Sequence, residues 1–161
     1  MITIREITAA DDARMAEIIR ANFVKFKLDI PGTAYFDPEL DHLSTYYMAE
    51  PETRKYFVMV DENGTVIGGC GFSEFKEYDS CVEMQKLYLT EEVKGKGLGK
   101  KLVAHLEDAA KAAGYKKMYL ETHSNLAIAI EMYRKLGFIQ IQKPDFVNHD
   151  AMDHFFIKDL I

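Results

Sequence analysis

Between Val82 and Leu102 the chain reads VEMQKLYLTEEVKGKGLGKKL: an extended apolar segment, a short charged turn, three alternate glycines and the basic start of an amphipathic helix. No other stretch restricts the fold as tightly. Gly95, Gly97 and Gly99 remove side chains where the backbone turns, so consecutive N–H groups can point into one space at a helix N-terminus, which makes an anion site. The dinucleotide fingerprint GxGxxG fails in both registers, because its third glycine falls on Lys100 counting from Gly95 and on Leu102 counting from Gly97. The triphosphate loop GxxxxGK followed by Ser or Thr fails as well, with Lys94 in place of its first glycine and Lys101 in place of the hydroxyl residue.

The whole chain limits what that anion can belong to. With 161 residues, 48% of them hydrophobic, it suits one compact domain over 1–161 that buries its own core. A net charge of −6 argues against a general nucleic-acid or anionic-membrane surface, so Lys94, Lys96, Lys100 and Lys101 form a local positive spot on an acidic protein. Its partner is expected to be small. Cys70 and Cys81 are too few for a disulfide framework, the N-terminus lacks the apolar run of a signal peptide, and no apolar stretch has the length of a membrane span. These absences lead to the expectation of a reducing, cytoplasmic setting. Nothing in the sequence decides between a monomer and a homodimer.

In chain order, Ile2, Ile4 and Ile7 predict a short first strand, and Thr8 or Asp11 caps a helix with Met15, Ile18, Ile19, Asn22, Phe23 and Phe26 at helical spacing. Asp37-Pro38 reads as an N-cap with proline at the first helical position, opening a shorter helix to about Met48. Tyr56 to Val60, the turn Glu62-Asn63-Gly64, and Thr65 to Phe75 make an antiparallel hairpin, in which Gly68, Gly69 and Gly71 predict a bulge or a close backbone approach. Leu98, Leu102, Val103, Leu106 and Ala109 form one helical stripe that ends at Gly114, before a strand over 118–121. The helix between two strands is a βαβ unit with parallel pairing. A helix from Leu126 to Leu136, a strand over 138–141 and a last strand over 151–157 complete the chain.

Two of these stretches share one resemblance. Lys94-Gly95-Lys96-Gly97-Leu98-Gly99, directly after a strand ending LYL, resembles the acyl-CoA loop of the GNAT superfamily of N-acetyltransferases, with Lys94 where Arg or Gln is usual. Asn125 to Phe138, NLAIAIEMYRKLGF, is similar to the C-terminal signature of the same superfamily. The resemblance implies an α/β (α+β) fold with a mixed, mostly antiparallel central sheet flanked by helices and a central βαβ acyl-CoA-binding unit. It implies acetyl-CoA as cosubstrate and no metal. Main-chain groups at Leu87 and Leu89 would hold the pantetheine arm, and the loop from Lys94 through Lys100 would hold the diphosphate. Asn125 and Ala129 would lie along the arm, and Tyr133 would face the sulfur. Without the motif, Tyr133 reads as a core tyrosine on an apolar helical face.

The chemistry needs an amine without its proton, a site for a developing oxyanion and a proton for the departing thiolate. For a primary amine of pKa about 10.4, only about one molecule in 2,500 is neutral at pH 7, so a carboxylate that collects the proton is valuable. By resemblance Glu83 matches the general-base glutamate of several GNAT enzymes, and strand alternation predicts one face for Glu83, Gln85, Leu87 and Leu89. Its other reading is a solvated strand carboxylate; Glu121 is the second candidate. The acceptor wall, by resemblance the segment 26–47, carries Tyr35, Phe36, Tyr46 and Tyr47 beside Asp29, Asp37, Glu39 and Asp41. That mixture suits either a cationic amine or a helix packed by its aromatics with a solvated acidic face. The acceptor is expected to be a primary amine of a small molecule, a peptide N-terminus or a lysine; the alternative is an acyl-CoA-binding sensor or partner-binding module without turnover. His149, Asp150, Asp153 and His154 read as surface residues rather than a metal cluster, since alternation puts the two histidines on opposite faces.

Overall fold

A computed structural model of the chain describes residues 1–147 and 151–161; His149 and Asp150 of the surface cluster lie outside the described residues. The chain runs β1 (Thr3–Glu6), α1 (Asp12–Lys25), α2 (Leu43–Met48), β2 (Arg54–Val60), β3 (Val66–Glu74), β4 (Cys81–Leu89), α3 (Leu98–Ala112), β5 (Lys117–Thr122), α4 (Ala127–Lys135), β6 (Ile139–Ile141) and β7 (His154–Asp159), with short 3₁₀ turns between. The strands form one sheet in the order β1-β2-β3-β4-β5-β7-β6. Every neighbouring pair is antiparallel except β4 with β5. That parallel pair is joined through α3, as the βαβ reading requires.

The sheet is buried on both faces. Phe57, Val82, Met118 and Phe156 pack on one side against Leu102 and Leu106 of α3 and Ile130 and Tyr133 of α4. On the other side Tyr56, Val58 and Val66 meet Met15, Ile19 and Phe23 of α1 and Leu43 and Tyr47 of α2. A smaller cluster of Cys81, Tyr119 and Phe155 is covered by Phe75, Tyr78 and Phe146. Both cysteines are free and buried. Among the described residues no helix is long and apolar enough to cross a membrane.

Three differences from the sequence reading bear on the site. The helix expected from Asp37-Pro38 starts at Leu43. Asp37, preceding a proline, is extended (φ −63°, ψ 131°), and its carboxylate is drawn to Lys86 at 3.0 Å, so it caps nothing. The cap comes from elsewhere: Asp12 of α1 accepts from the backbone N–H of Ser44 at 2.9 Å and from its hydroxyl at 2.6 Å. The last strand begins at His154 rather than Ala151, because Asp153 is held in the loop by Ser124, whose N–H and hydroxyl donate to it at 2.8 and 2.9 Å. The third difference is the alternation of β4. From Gly69 to Gly71 strand β3 advances by two residues, while β4 advances by three from Gln85 to Tyr88. The additional residue is a β-bulge, with Lys86 at φ +53°. Glu83 and Gln85 therefore stay on the α1–α2 face, where Tyr47 donates to Gln85 at 2.6 Å, whereas Leu87 and Leu89 pack against the core under α3. The expected single face for all four is corrected by that one residue.

The glycine cluster in β3 makes this bulge possible. Tyr56 reaches from β2 across β3 and donates its hydroxyl to the Lys86 carbonyl at 2.8 Å. Its ring passes so close to β3 that a Cβ on Gly69 or Gly71 would lie 2.6 or 2.5 Å from a ring carbon. Gly71→Ala is expected to displace that ring and cost about 1–3 kcal/mol, lowering Tm by about 2–12 °C in a calorimetric or fluorescence melt. Gly64→Ala, at a hairpin turn with φ +80° and open space around it, is expected to cost about 1 kcal/mol.

Candidate active site

Strands β4 and β5 pair only from Cys81 to Glu83 and from Lys117 to Tyr119, although β4 continues to Leu89 and β5 to Thr122. Beyond the Glu83–Tyr119 pair the two strands part. The Thr90 N–H donates to the Ile67 carbonyl at 2.9 Å on the β3 side, so the adjoining Leu89 directs its own amide and carbonyl towards the opening. A cleft of about 790 Å³ occupies this place. Its lining comes from both faces of the sheet: Phe23, Lys86, Tyr88 and Glu121 on one, Leu98, Ala129, Met132 and Tyr133 on the other. The gap between the strands is thus a passage through the sheet.

On the α3 side the glycine loop forms the mouth. Gly95 (φ +79°) and Gly97 (φ +76°) both adopt the left-handed region, and beyond each the space a Cβ would take is open. Gly97 is the N-cap of α3, so the free amides of the first helical turn face that space, as an anion cradle requires. Leu98 is buried in the core and pins the turn. Gly99 serves packing instead: a Cβ there would sit 3.2 Å from the Met132 sulfur of α4. Lys100 lines the mouth, while Lys96 is exposed. Lys94 does not point along the loop. Its ammonium donates to the Asn22 Oδ1 at 2.6 Å, pairs with Glu91 at 3.1 Å and lies 4.9 Å above the Phe26 ring.

Asn22 shares the helical spacing of the apolar positions of α1 but does polar work. Its signal was its chemistry: an amide at a position that the helical period buries. The Nδ2 group donates to the Ile18 carbonyl at 2.9 Å and the Leu89 carbonyl at 3.0 Å, while Oδ1 accepts a hydrogen bond from the Lys94 ammonium. One buried side chain therefore joins α1, the end of β4 and the start of the loop. Asn125 plays a similar tying role, donating to the Phe26 carbonyl at 2.9 Å.

Tyr133 is buried within α4, its ring against Phe138 at 5.8 Å and Phe156 at 6.1 Å. Burial, with a smaller effect of Cys70, pushes its phenol up, so it holds its proton at neutral pH. Tyr88, across the passage with its ring 5.2 Å from Phe23, is raised by burial and by Tyr133. Of the two carboxylates, Glu83 accepts from the Gln85 amide at 3.0 Å, and Glu121 accepts from the Tyr119 hydroxyl at 2.8 Å. Both are half-buried on the α1–α2 face; Glu121 lines the cleft. The acidic wall is largely paired within the chain. Lys86 lies 3.0 Å from Asp37 and 3.8 Å from Glu39, and Arg20 donates to both oxygens of Asp41 at 2.7 and 2.8 Å. Among the described residues no group of His, Cys, Asp and Glu is placed to hold a metal ion.

The sheet thus opens beside a parallel pair, with the free amides of a helix start on one face and a buried, protonated tyrosine at the gap. The sequence profile described as acetyltransferase (GNAT) family matches residues 15–138, and the chain belongs to that family. It is similar to the uncharacterised N-acetyltransferase YjgM of Escherichia coli, with 36% identity over 140 residues, 85% of this chain and 81% of that protein. A GNAT superfamily phosphinothricin acetyltransferase from Sinorhizobium meliloti, solved with acetyl-CoA, superposes with a TM-score of 0.76 at 27% identity over 99% of this chain and 88% of its own. A GNAT-family acetyltransferase from Staphylococcus aureus shares the fold, with a TM-score of 0.86 at 19% identity over the whole of both chains.

Replacing Asn22 by leucine leaves the half-buried Leu89 carbonyl without this donor and Lys94 without its amide acceptor. Asn22→Leu is expected to lose about 1–3 kcal/mol of stability, and hydrogen exchange over residues 89–97 is expected to quicken more than elsewhere.

Proposed function

We propose that this chain moves an acetyl group from acetyl-CoA to a primary amine, on a small molecule, a peptide N-terminus or a lysine, by direct attack in a ternary complex. The observation that carries this reading is the passage through the sheet, which gives donor and acceptor separate entrances to one point. Family membership supports the acyl transfer, and the N-acetyltransferase relative supports nitrogen as the acceptor atom.

The residues fit acetyl-CoA. The diphosphate would meet the free amides behind Gly95 and Gly97, with Lys100 beside it. The pantetheine arm would run between Ala129 and the parted end of β4, where the Leu89 amide lacks a strand partner. When bound, the coenzyme supplies an activated acyl carbon and a thiol leaving group. Tyr133 would give its proton to the sulfur as the C–S bond breaks; a thiol pKa of about 8.5 makes the transfer easy to complete. A carboxylate on the opposite face, Glu83 or Glu121, would take the proton of the incoming ammonium.

Tyr133→Phe is expected to keep the affinity for acetyl-CoA within about twofold by calorimetry while lowering kcat for thiol release about 10²–10⁴-fold. Gly97→Asp places a Cβ at a left-handed position and a negative charge in the cradle. It is expected to weaken acetyl-CoA binding at least tenfold or so, and the shift of Tm by the coenzyme to shrink accordingly. A wild-type titration with neither heat nor a shift in Tm would overturn the reading.

A further inference from the structure

We propose that Glu121, aligned by the hydroxyl of Tyr119, is the group that takes the proton from the acceptor amine, in place of Glu83. The inference rests on the acetyl-transfer reading above and assigns the base within it.

The two carboxylates differ in their position along the strands. Glu83 and Tyr119 are the last residues at which β4 and β5 pair, so Glu83 stands where the sheet is still closed. Two residues further along β5, Glu121 falls on the same face as Tyr119 but beyond the fork, and it lines the cleft. Glu83 is also engaged in a chain of polar contacts within its own face: its carboxylate accepts from Gln85 at 3.0 Å, and Gln85 accepts from the buried Tyr47 at 2.6 Å. Glu121 has a support built for it. Tyr119 is fully buried, its ring stacked on Phe75 at 4.4 Å, and its hydroxyl donates to Glu121 Oε2 at 2.8 Å. A rigid donor on a buried ring fixes one oxygen and steadies the ionised carboxylate.

The second part is separation. Tyr133 belongs to the core on the α3–α4 face, and Glu121 shares its face of β5 with Tyr119, on the other side. Base and acid thus stand on opposite faces of the sheet, one on each side of the passage. Among the described residues, the titratable groups around the opening include Glu83, Lys86 and Tyr88 on β4, Asp37 and Glu39 on the wall, Tyr119 on the same strand and Tyr133 on the far face. The residue opposite Glu121 on β7 is apolar Phe155. In the reaction an N–H bond of the ammonium breaks as an O–H bond forms on Glu121. The freed nitrogen pair makes the C–N bond, the C–S pair leaves with sulfur, and sulfur takes the Tyr133 proton. The second nitrogen proton restores Tyr133 through solvent, and Glu121 releases the first, so one proton is liberated per turnover.

The test compares Glu121→Gln, Glu83→Gln and Tyr119→Phe with the wild type. Thiol release is followed with acetyl-CoA and a panel of ethanolamine, putrescine, phenethylamine and glycinamide, alongside melts and acetyl-CoA calorimetry. Glu121→Gln is expected to keep its coenzyme affinity and lose about 10²–10⁴-fold in kcat. The loss shrinks with aminoacetonitrile, which is already neutral at the assay pH. Tyr119→Phe keeps the stacked ring and removes only the donor, so the acid limb of its kcat profile moves to higher pH; this variant carries the test if Glu121→Gln does not fold. Glu83→Gln is expected to lose less than about tenfold. The inference is overturned if Glu121→Gln turns over within about fivefold of wild type, if Glu83→Gln shows the larger loss, or if the acid limb of Tyr119→Phe does not move. If the wild type releases no thiol with any amine, the acetyl-transfer reading falls and this assignment with it; an active wild type with an unimpaired Glu121→Gln sinks the assignment alone.

Discussion

The site depends on the loss of hydrogen bonding between two strands that begin as partners. A parallel pair inside a sheet is ordinarily sealed along its length, because each unpaired amide away from water costs as much as a lost hydrogen bond. Here the ladder stops at Glu83 and Tyr119. The cost is contained on the β4 side by two devices. The bulge at Lys86 keeps β4 bonded to β3 while it bends away, and Asn22 supplies a donor to the Leu89 carbonyl. Both devices reach back to residues far away in sequence: the bulge is held by Tyr56 through a track of glycines, and Asn22 is carried by α1.

Much of the fold was legible in the chain because its signals were local. Helical stripes, the hairpin turn and the glycines that close α3 and α4 are each read within a few residues. The glycine loop and Tyr133 stood out by their resemblance to two signatures of one family, while elimination only excluded two other glycine motifs. The face of Leu87 and Leu89 was not legible, since one inserted residue inverts a period of two and the cause lies in the opposing strand. Nor was the start of α2. An Asp-Pro pair is a sound local cap signal, but Asp37 had a stronger partner in Lys86, a contact between segments that no window of sequence contains.

The lysines show the same limit from another side. Four of them near the loop suggested a positive spot aimed at an anion. In the folded chain they divide the work: Lys100 lines the mouth, whereas Lys94 ties the loop to α1 through Asn22 and Phe26. Glycines divided likewise, with Gly95 and Gly97 turning the backbone and Gly99 making room for Met132. Composition shows that such residues cluster; only packing assigns each its task.

The segment between α1 and β2 contributes no strand to the sheet. It is built of brief helical turns, anchored by Asp12 on Ser44, Lys86 on Asp37 and Arg20 on Asp41. Since the ladders and the glycine loop lie elsewhere, this flap of chain is replaceable in the way a lock's wards are: under the function proposed above it can be recut for a differently shaped amine while the bolt and spring behind it stay as they are.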